Sequence, residues 1–310
     1  MPMGFSRSVL VTGATGQQGG AVARKLLQRG HRVIAFIHHP SSPGARELES
    51  LGAELAIGDY DDLDSIAHAA RDMDAMFAAC TPFGPGGVQA EVRHGKNLAD
   101  GARLARVRHY VYSSVAGADR LTGIPHFDSK HRIETHVKGS NLPYTILGPT
   151  FFMENLTSGM FEEGLKAGVL AMGLSPTRGL QMVALEDLAA FAVRIMEEPE
   201  RFEAQRIEVA SDEVTGQQAA GLLSMVSGHR IHYEQLPLDY LRERSEDLAA
   251  MYEWLDRKGY QADILTLRHK FPEVRWRTFE DWARGQDWSA LTSPAWPHAA
   301  AEPVSPPASH

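Results

Sequence analysis

Cysteine is nearly missing from this chain. Cys80 is the only one in 310 residues, which excludes an internal disulfide and a thiolate zinc cluster built within one chain. No apolar run reaches the roughly 18 residues that a membrane-crossing helix needs. The first strand-like run, Ser8–Val11, comes before any apolar leader segment, so a soluble, cytoplasmic protein with no membrane partner is expected. Positive charge is also in deficit. Lys and Arg total 31 against 39 Asp and Glu, a formal charge of -8, which argues against a surface made to coat a phosphate backbone and against a nucleic-acid partner. What remains is globular: 43% hydrophobic and 23% charged residues, in a chain long enough for one large domain or two coupled lobes.

Short apolar runs alternate with helical patterns through the first half, the signature of an α/β protein with a doubly wound parallel sheet. Strands are expected at Ser8–Val11, Arg32–Ile37, 53–57, 75–79, 109–112 and 144–147, and helices at 19–29, 45–51, 63–70, 88–105 and 128–138. In the first helix Val22 and Leu26 share one face at i, i+4 spacing, and Gly30 suits its stop. After residue 147 the rhythm changes: Gly148-Pro149-Thr150 is expected to break the strand, and a Phe- and Met-rich stretch follows. A helix at 185–196 and a strand at 206–209 return to the sheet. Residues 217–290 read as mostly helical and carry four of the five tryptophans, and 298–310 is Ala-, Pro- and Ser-rich and expected to be disordered.

The strongest signal is an apolar strand that runs into Gly13-Ala14-Thr15-Gly16-Gln17-Gln18-Gly19 and then a helix. Glycine has no Cβ, so it permits the tight turn, the close approach of a pyrophosphate and the close helix–strand contact, while free N–H groups at the helix start face the phosphates. A dinucleotide is the expected ligand. Phe36-Ile37-His38-His39-Pro40-Ser41-Ser42 ends the second strand without the carboxylate that would hold the ribose hydroxyls of NAD. With His38, Ser41 and Arg46 as donors for a 2′-phosphate, NADP(H) is expected to be preferred and NAD(H) admitted.

Together with that loop, Gly58-Asp59-Tyr60, Tyr112-Ser113-Ser114, His126-Phe127-Asp128-Ser129-Lys130, Phe152-Met153-Glu154-Asn155-Leu156 and Thr278-Phe279-Glu280-Asp281-Trp282 resemble the NmrA-like family of atypical short-chain dehydrogenases, in its NADPH redox-sensor-like branch. The resemblance spans about residues 9–288. It implies a Rossmann-type lobe (1–150 with 181–211), a smaller, mostly helical lobe for substrate or partner (151–180 with 212–297), and a cleft between them over the nicotinamide. By the same resemblance Gly13, Thr15, Gly16, Gln17, Gln18 and Gly19 line the pyrophosphate, and His38 stands where many relatives carry an arginine for the 2′-phosphate. Asp59 and Tyr60 lie near the adenine, and Thr81, Pro82 and Phe83 beside the ribose. Lys130 binds the nicotinamide ribose, and Pro149, Thr150 and Phe152 approach the nicotinamide.

A short-chain dehydrogenase donates a proton from the tyrosine of Tyr-x-x-x-Lys and holds the carbonyl with a serine. Here Lys130 fits and Ser113 or Ser114 follows the fifth strand, but the residue four before the lysine is His126, itself an acid near neutral pH. The plainer readings are a surface pair of Lys130 with Glu134 and a turn position for His126. Phe83, Phe151, Phe152, Met153, Asn155 and Met160 are candidates to line an apolar substrate pocket, with inter-lobe core as the alternative. Cys80 reads as a small buried hydrophobe. His126, His131 and His136 are five apart and spread around a helix, and the acids at 59, 61 and 62 read as a helix cap, so no metal site is expected. Two functions compete. One is an NADPH-dependent reductase of a small apolar carbonyl, quinone or imine; the other is a non-catalytic NADPH/NADP redox sensor that regulates a protein partner. A small-molecule substrate, a regulated protein and a homodimer are the partners left open.

Overall fold

The computed structural model describes residues 6–292; the tail at 298–310 and the last residues assigned to the smaller lobe lie outside that range. The apolar runs of the first half lack polar alternation because both faces of their strands are covered, and residues 9–11, 75–78 and 110–113 at the centre are wholly buried. In chain order they are β1 (Ser8–Val11), α1 (Gln17–Gln28), β2 (Arg32–Ile37), α2 (Pro43–Ser50), β3 (Glu54–Ile57), α3 (Leu63–Ala69), β4 (Ala75–Ala78), α4 (Gly87–Leu104), β5 (Tyr110–Ser113), α5 (Pro125–Gly139) and β6 (Tyr144–Pro149). There follow β7 (Phe151–Phe152), α6 (Gly159–Lys166), β8 (Val169–Met172), β9 (Gly179–Val183), α7 (Leu185–Glu197), α8 (Pro199–Phe202), β10 (Gln205–Val209), β11 (Asp212–Thr215), α9 (Gly216–Ser227), β12 (His232–Gln235), α10 (Leu238–Arg242), α11 (Glu246–Arg257), α12 (Ile264–Lys270) and α13 (Phe279–Arg284).

Seven strands form one parallel sheet in the order β10-β6-β5-β4-β1-β2-β3. Chain direction across the sheet reverses between β1 and β4, and ligands of such sheets sit in the crevice outside the carboxyl ends at that point. One face is packed around Val22, Leu26, Leu188 and Phe191, the other around Ile66, Leu98, Ile133 and Val137. A third apolar cluster, from Phe151 to Leu291, gathers the helical second half with two small sheets, β11-β9-β7 and β12-β8. Leu267, Phe271, Val274 and Trp276 nonetheless belong to the first cluster.

Two boundaries and one group of strands depart most from the sequence expectation, each for a physical reason. α5 starts at Pro125, three residues early, because proline suits a first helical position and a carboxylate from α11 caps the end. β6 runs on through Gly148-Pro149, because Pro149 still pairs with Val209 and its carbonyl accepts from the Ala116 N–H at 2.9 Å. The small strands β8, β9, β11 and β12 are four or five residues each and went unread. No described helix is long and apolar enough to cross a membrane.

Candidate functional site

The glycine loop sits at the switch point. Gly13 takes φ +61°, and the Gly16 N–H donates to its carbonyl at 2.9 Å. A Cβ on Gly19 would stand 2.3 Å from the Gly13 oxygen, so Gly19 is the close contact of α1 with the loop. We expect Gly19→Ala to lower the melting temperature and abolish cofactor binding together; an unchanged melting curve would disprove the contact. Gly16 is different: a Cβ there would meet only the Gly13 oxygen, at 3.3 Å. α1 has no side-chain cap and no acid in its first turn, so its leading N–H groups remain for an anion. Gln17 and Gln18 open this helix, and Thr15 packs against Gly44 of α2, where an added Cβ would lie 3.3 Å from the Thr15 Cβ. These residues fit the pyrophosphate of a dinucleotide.

Tyr60 does not point outward from its strand end. Its phenol oxygen accepts the Gly13 N–H at 2.7 Å, its ring stacks on Phe36, and burial pushes its pKa up to about 12. At the end of β2, Ser42 caps α2 by accepting from the Ala45 N–H, which leaves the side chains of Ser41 and Arg46 exposed and without a partner among the described residues. His38 is exposed too, and its Nδ1 lies 3.9 Å from the Asp59 carboxylate. Asp59, just past β3, is thus the acid that stands nearest the end of β2, beside His38.

The densest chemistry lies under the ends of β4 and β5. Lys130, on α5, is buried, and its Nζ donates to the Glu91 carboxylate at 2.6 Å and to the Cys80 carbonyl at 2.9 Å, 5.9 Å from the centre of the Tyr112 ring. Two of its three protons are committed and one remains. Burial works against the charged amine, but the Glu91 carboxylate that accepts from it outweighs this and holds the Lys130 pKa above its ordinary value. Ser129 donates to the other Glu91 oxygen. Lys130 is therefore paired with Glu91 and not with Glu134, which accepts from Ser114 at 2.5 Å and from Arg206 at 3.0 Å. Ser113 is buried, and its hydroxyl has no hydrogen-bond partner among the described residues.

His126 lies in the first turn of α5, one turn before Lys130. Its Nδ1 is 2.6 Å from Asp247 Oδ2, and its backbone N–H donates to Asp247 Oδ1 at 3.1 Å. The ring lies 5.8 Å from that of Phe83, which stands exposed beyond β4 after Pro82, its N–H donating to Thr81 Oγ1 at 3.3 Å. At the end of β6, Thr150 Oγ1 donates to the Val209 carbonyl at 3.2 Å. Phe152 packs partly buried against the first cluster, Phe151 and Met153 lie within the second, and Met160 is exposed on α6. Asn155 uses its carbonyl to accept the Ser158 hydroxyl. Its neighbour Glu154 accepts from the Leu185 N–H at 3.0 Å and from Trp282 Nε1 at 3.1 Å, which ties two of the sequence motifs together at the start of α7. Asp62 caps α3, and among the described residues no group of three His, Cys, Asp or Glu could hold a metal ion.

Glu91 and Asp247 went unread in the sequence. Glu91 had a signal: it shares the buried stripe of Gly95, Leu98 and Ala102 on α4, where an acid needs a partner. Asp247 looks like any first-turn acid. Burial pushes the Cys80 thiol up to about 11. Native protein should therefore react with iodoacetamide at neutral pH roughly 100-fold more slowly than unfolded chain, matching two pH units of lost thiolate; equal rates would show an exposed thiol.

A parallel sheet that reverses at a glycine loop, with an uncapped helix start behind the loop, is a Rossmann-type fold. The chain belongs to the NmrA-like family, whose model matches residues 6–283. It is 28% identical over 289 residues to an NAD(P)H azoreductase of Xenophilus azovorans, covering 89% of this chain and 96% of that protein. It is 24% identical over 271 residues to an NmrA-like family domain-containing protein of Dictyostelium discoideum, covering 82% and 89%. Among solved structures it resembles NmrA, a negative transcriptional regulator, in complex with NADP, at a TM-score of 0.75 and 23% identity over 92% of this chain and 99% of that one. It also resembles an NADPH-dependent quinone oxidoreductase of Escherichia coli complexed with NADPH, at 0.75 and 22% over 89% and 98%.

Proposed function

We propose that the protein is an NADP(H)-preferring reductase of a small apolar carbonyl, quinone or imine compound. The observation that carries this reading is Lys130, a buried charged amine at the switch-point crevice with one proton left to donate. There it would hold the nicotinamide ribose and put positive charge beside oxygen that gains electron density. The bound cofactor would supply the hydride. Gly13, Gly16 and the start of α1 would hold its pyrophosphate, and Arg46, Ser41 and His38 its 2′-phosphate. Phe83, exposed with its ring 5.8 Å from that of His126, would offer such a substrate an apolar surface. The azoreductase and quinone reductase among the similar proteins support this reading.

The test is calorimetric titration with NADPH and NADH, followed by loss of reduced-nicotinamide absorbance with a panel of quinones, aldehydes, imines and azo dyes. NADPH should bind at least about tenfold more tightly, and Arg46→Ala should narrow the difference, since a lost charge-assisted hydrogen bond is worth about 1.5–3 kcal/mol. Equal or tighter NADH binding would refute the preference. Tight NADPH binding with no turnover across the panel would favour a redox sensor acting on a protein partner, the reading that the absent tyrosine supports.

A further inference from the structure

We infer that Asp247 is a positioning residue for a proton-donating His126, so that a pair drawn from both halves of the chain replaces the missing tyrosine; this rests on the reductase reading above. The geometry that carries it is the double contact of one carboxylate with one residue, at 2.6 Å to the His126 ring and 3.1 Å to its backbone N–H. A carboxylate can only accept, so the proton on neutral His126 belongs on Nδ1. That leaves Nε2, which has no hydrogen bond among the described residues, as the atom that exchanges protons with a ligand.

The pair is built firmly. Ser245 caps α11 by accepting from the Leu248 N–H at 3.2 Å, which fixes the turn that carries Asp247. Trp254, two turns on, packs 5.6 Å from Phe127 on α5, and its ring lies where a Cβ on Gly117 would come within 2.8 Å. His126 and Lys130 are i, i+4 on α5 and share a face, so the ring stands on the same side of the helix as the amine.

In the step proposed, the substrate carbon accepts a hydride from the reduced nicotinamide, the π electrons of its C=O bond move to oxygen, and that oxygen takes the proton from Nε2 of the imidazolium. The ring is left neutral with its proton on Nδ1, facing Asp247, and solvent later returns a proton to Nε2. Oxidised nicotinamide and the alcohol are the products.

Asp247→Asn is the informative variant. Its amide oxygen can still accept the His126 N–H, but its NH₂ would face Nδ1 and favour the opposite tautomer, with the proton on Nε2. Long-range ¹H–¹⁵N spectra of the holoprotein, at a pH where His126 is neutral, should show Nδ1–H in the wild type and Nε2–H in the variant. With a substrate from the panel, kcat should fall about 100-fold or more with NADPH affinity unchanged, and Asp247→Glu should recover part of it. An Nε2–H signal in the wild type, or Asp247→Asn turnover within threefold of wild type, would overturn the inference. Failure of the reductase reading looks different: the wild type itself would not turn over, and the proton-donating role would fall with it. A kcat loss matched by lost NADPH affinity and a collapsed melting curve in both variants would reduce Asp247 to a clasp between the lobes and overturn its positioning role.

Discussion

Gly16→Val is expected to fold normally and to bind neither NADPH nor NADH. Gly16 is extended at φ -89° and ψ 176°, a conformation that a β-branched residue adopts readily. Only the Gly13 oxygen crowds its Cβ position, at 3.3 Å, so the melting temperature should stay within about 2 °C of wild type, the shift of a substitution worth about 0.5 kcal/mol. The isopropyl group would instead fill the space where the pyrophosphate approaches the backbone. Calorimetry should therefore show affinity for both cofactors reduced beyond about 100-fold. Micromolar binding in the variant would mean that the phosphates lie elsewhere.

Lys130→Ala is expected to damage stability and function at once. The Glu91 side chain is wholly buried, and Lys130 is its countercharge. Removing one member of such a pair costs about 3–5 kcal/mol, whereas replacing both with apolar groups of similar volume is often neutral or better. Lys130→Ala alone should lower the melting temperature by roughly 10 °C. The double replacement Lys130→Met with Glu91→Leu should recover most of that loss, since Ser129 still has the His126 carbonyl as an acceptor at 3.0 Å. Cofactor affinity and turnover should stay low in both. An unshifted melting curve for Lys130→Ala would show that the pair is not buried in solution. A double variant that reduces substrate normally would remove Lys130 from the reaction.

Much of the fold could be read directly because strand burial and helix punctuation are local. Val9-Leu10-Val11 before three glycines, and helices that end near Gly30 and Gly52, are written in consecutive residues. The sheet strands were legible for the same reason, down to their order of appearance. The small strands β8 and β12 were not, because a four-residue pair has no period to display and exists only through partners more than sixty residues apart. The site divides along the same line. Lys130 and the glycine loop could be found from spacing, whereas the partners that set their chemistry could not. Glu91 reaches Lys130 across two helices, Asp247 reaches His126 across 121 positions, and Asp59 comes beside His38 only because β2 and β3 lie side by side. Tyr60, which the family resemblance sets near the adenine, has its hydroxyl under the loop, accepting the Gly13 N–H, a contact that no local pattern displays.

The interlacing of the two halves has a consequence in time as well as in space. Chains emerge from the ribosome N-terminus first, and domains generally fold as they are completed. Here β1 precedes the rest of its sheet, which waits for β10 at 205–209 to cover β6. The apolar layer behind it waits longer, for Leu267, Phe271, Val274 and Trp276. The cap that Glu154 gives α7 is itself steadied by Trp282. The sheet strands from β1 to β6 thus precede the residues that complete them, and until 205–276 had followed, a nascent chain would carry an open edge at β6 and an uncovered apolar face.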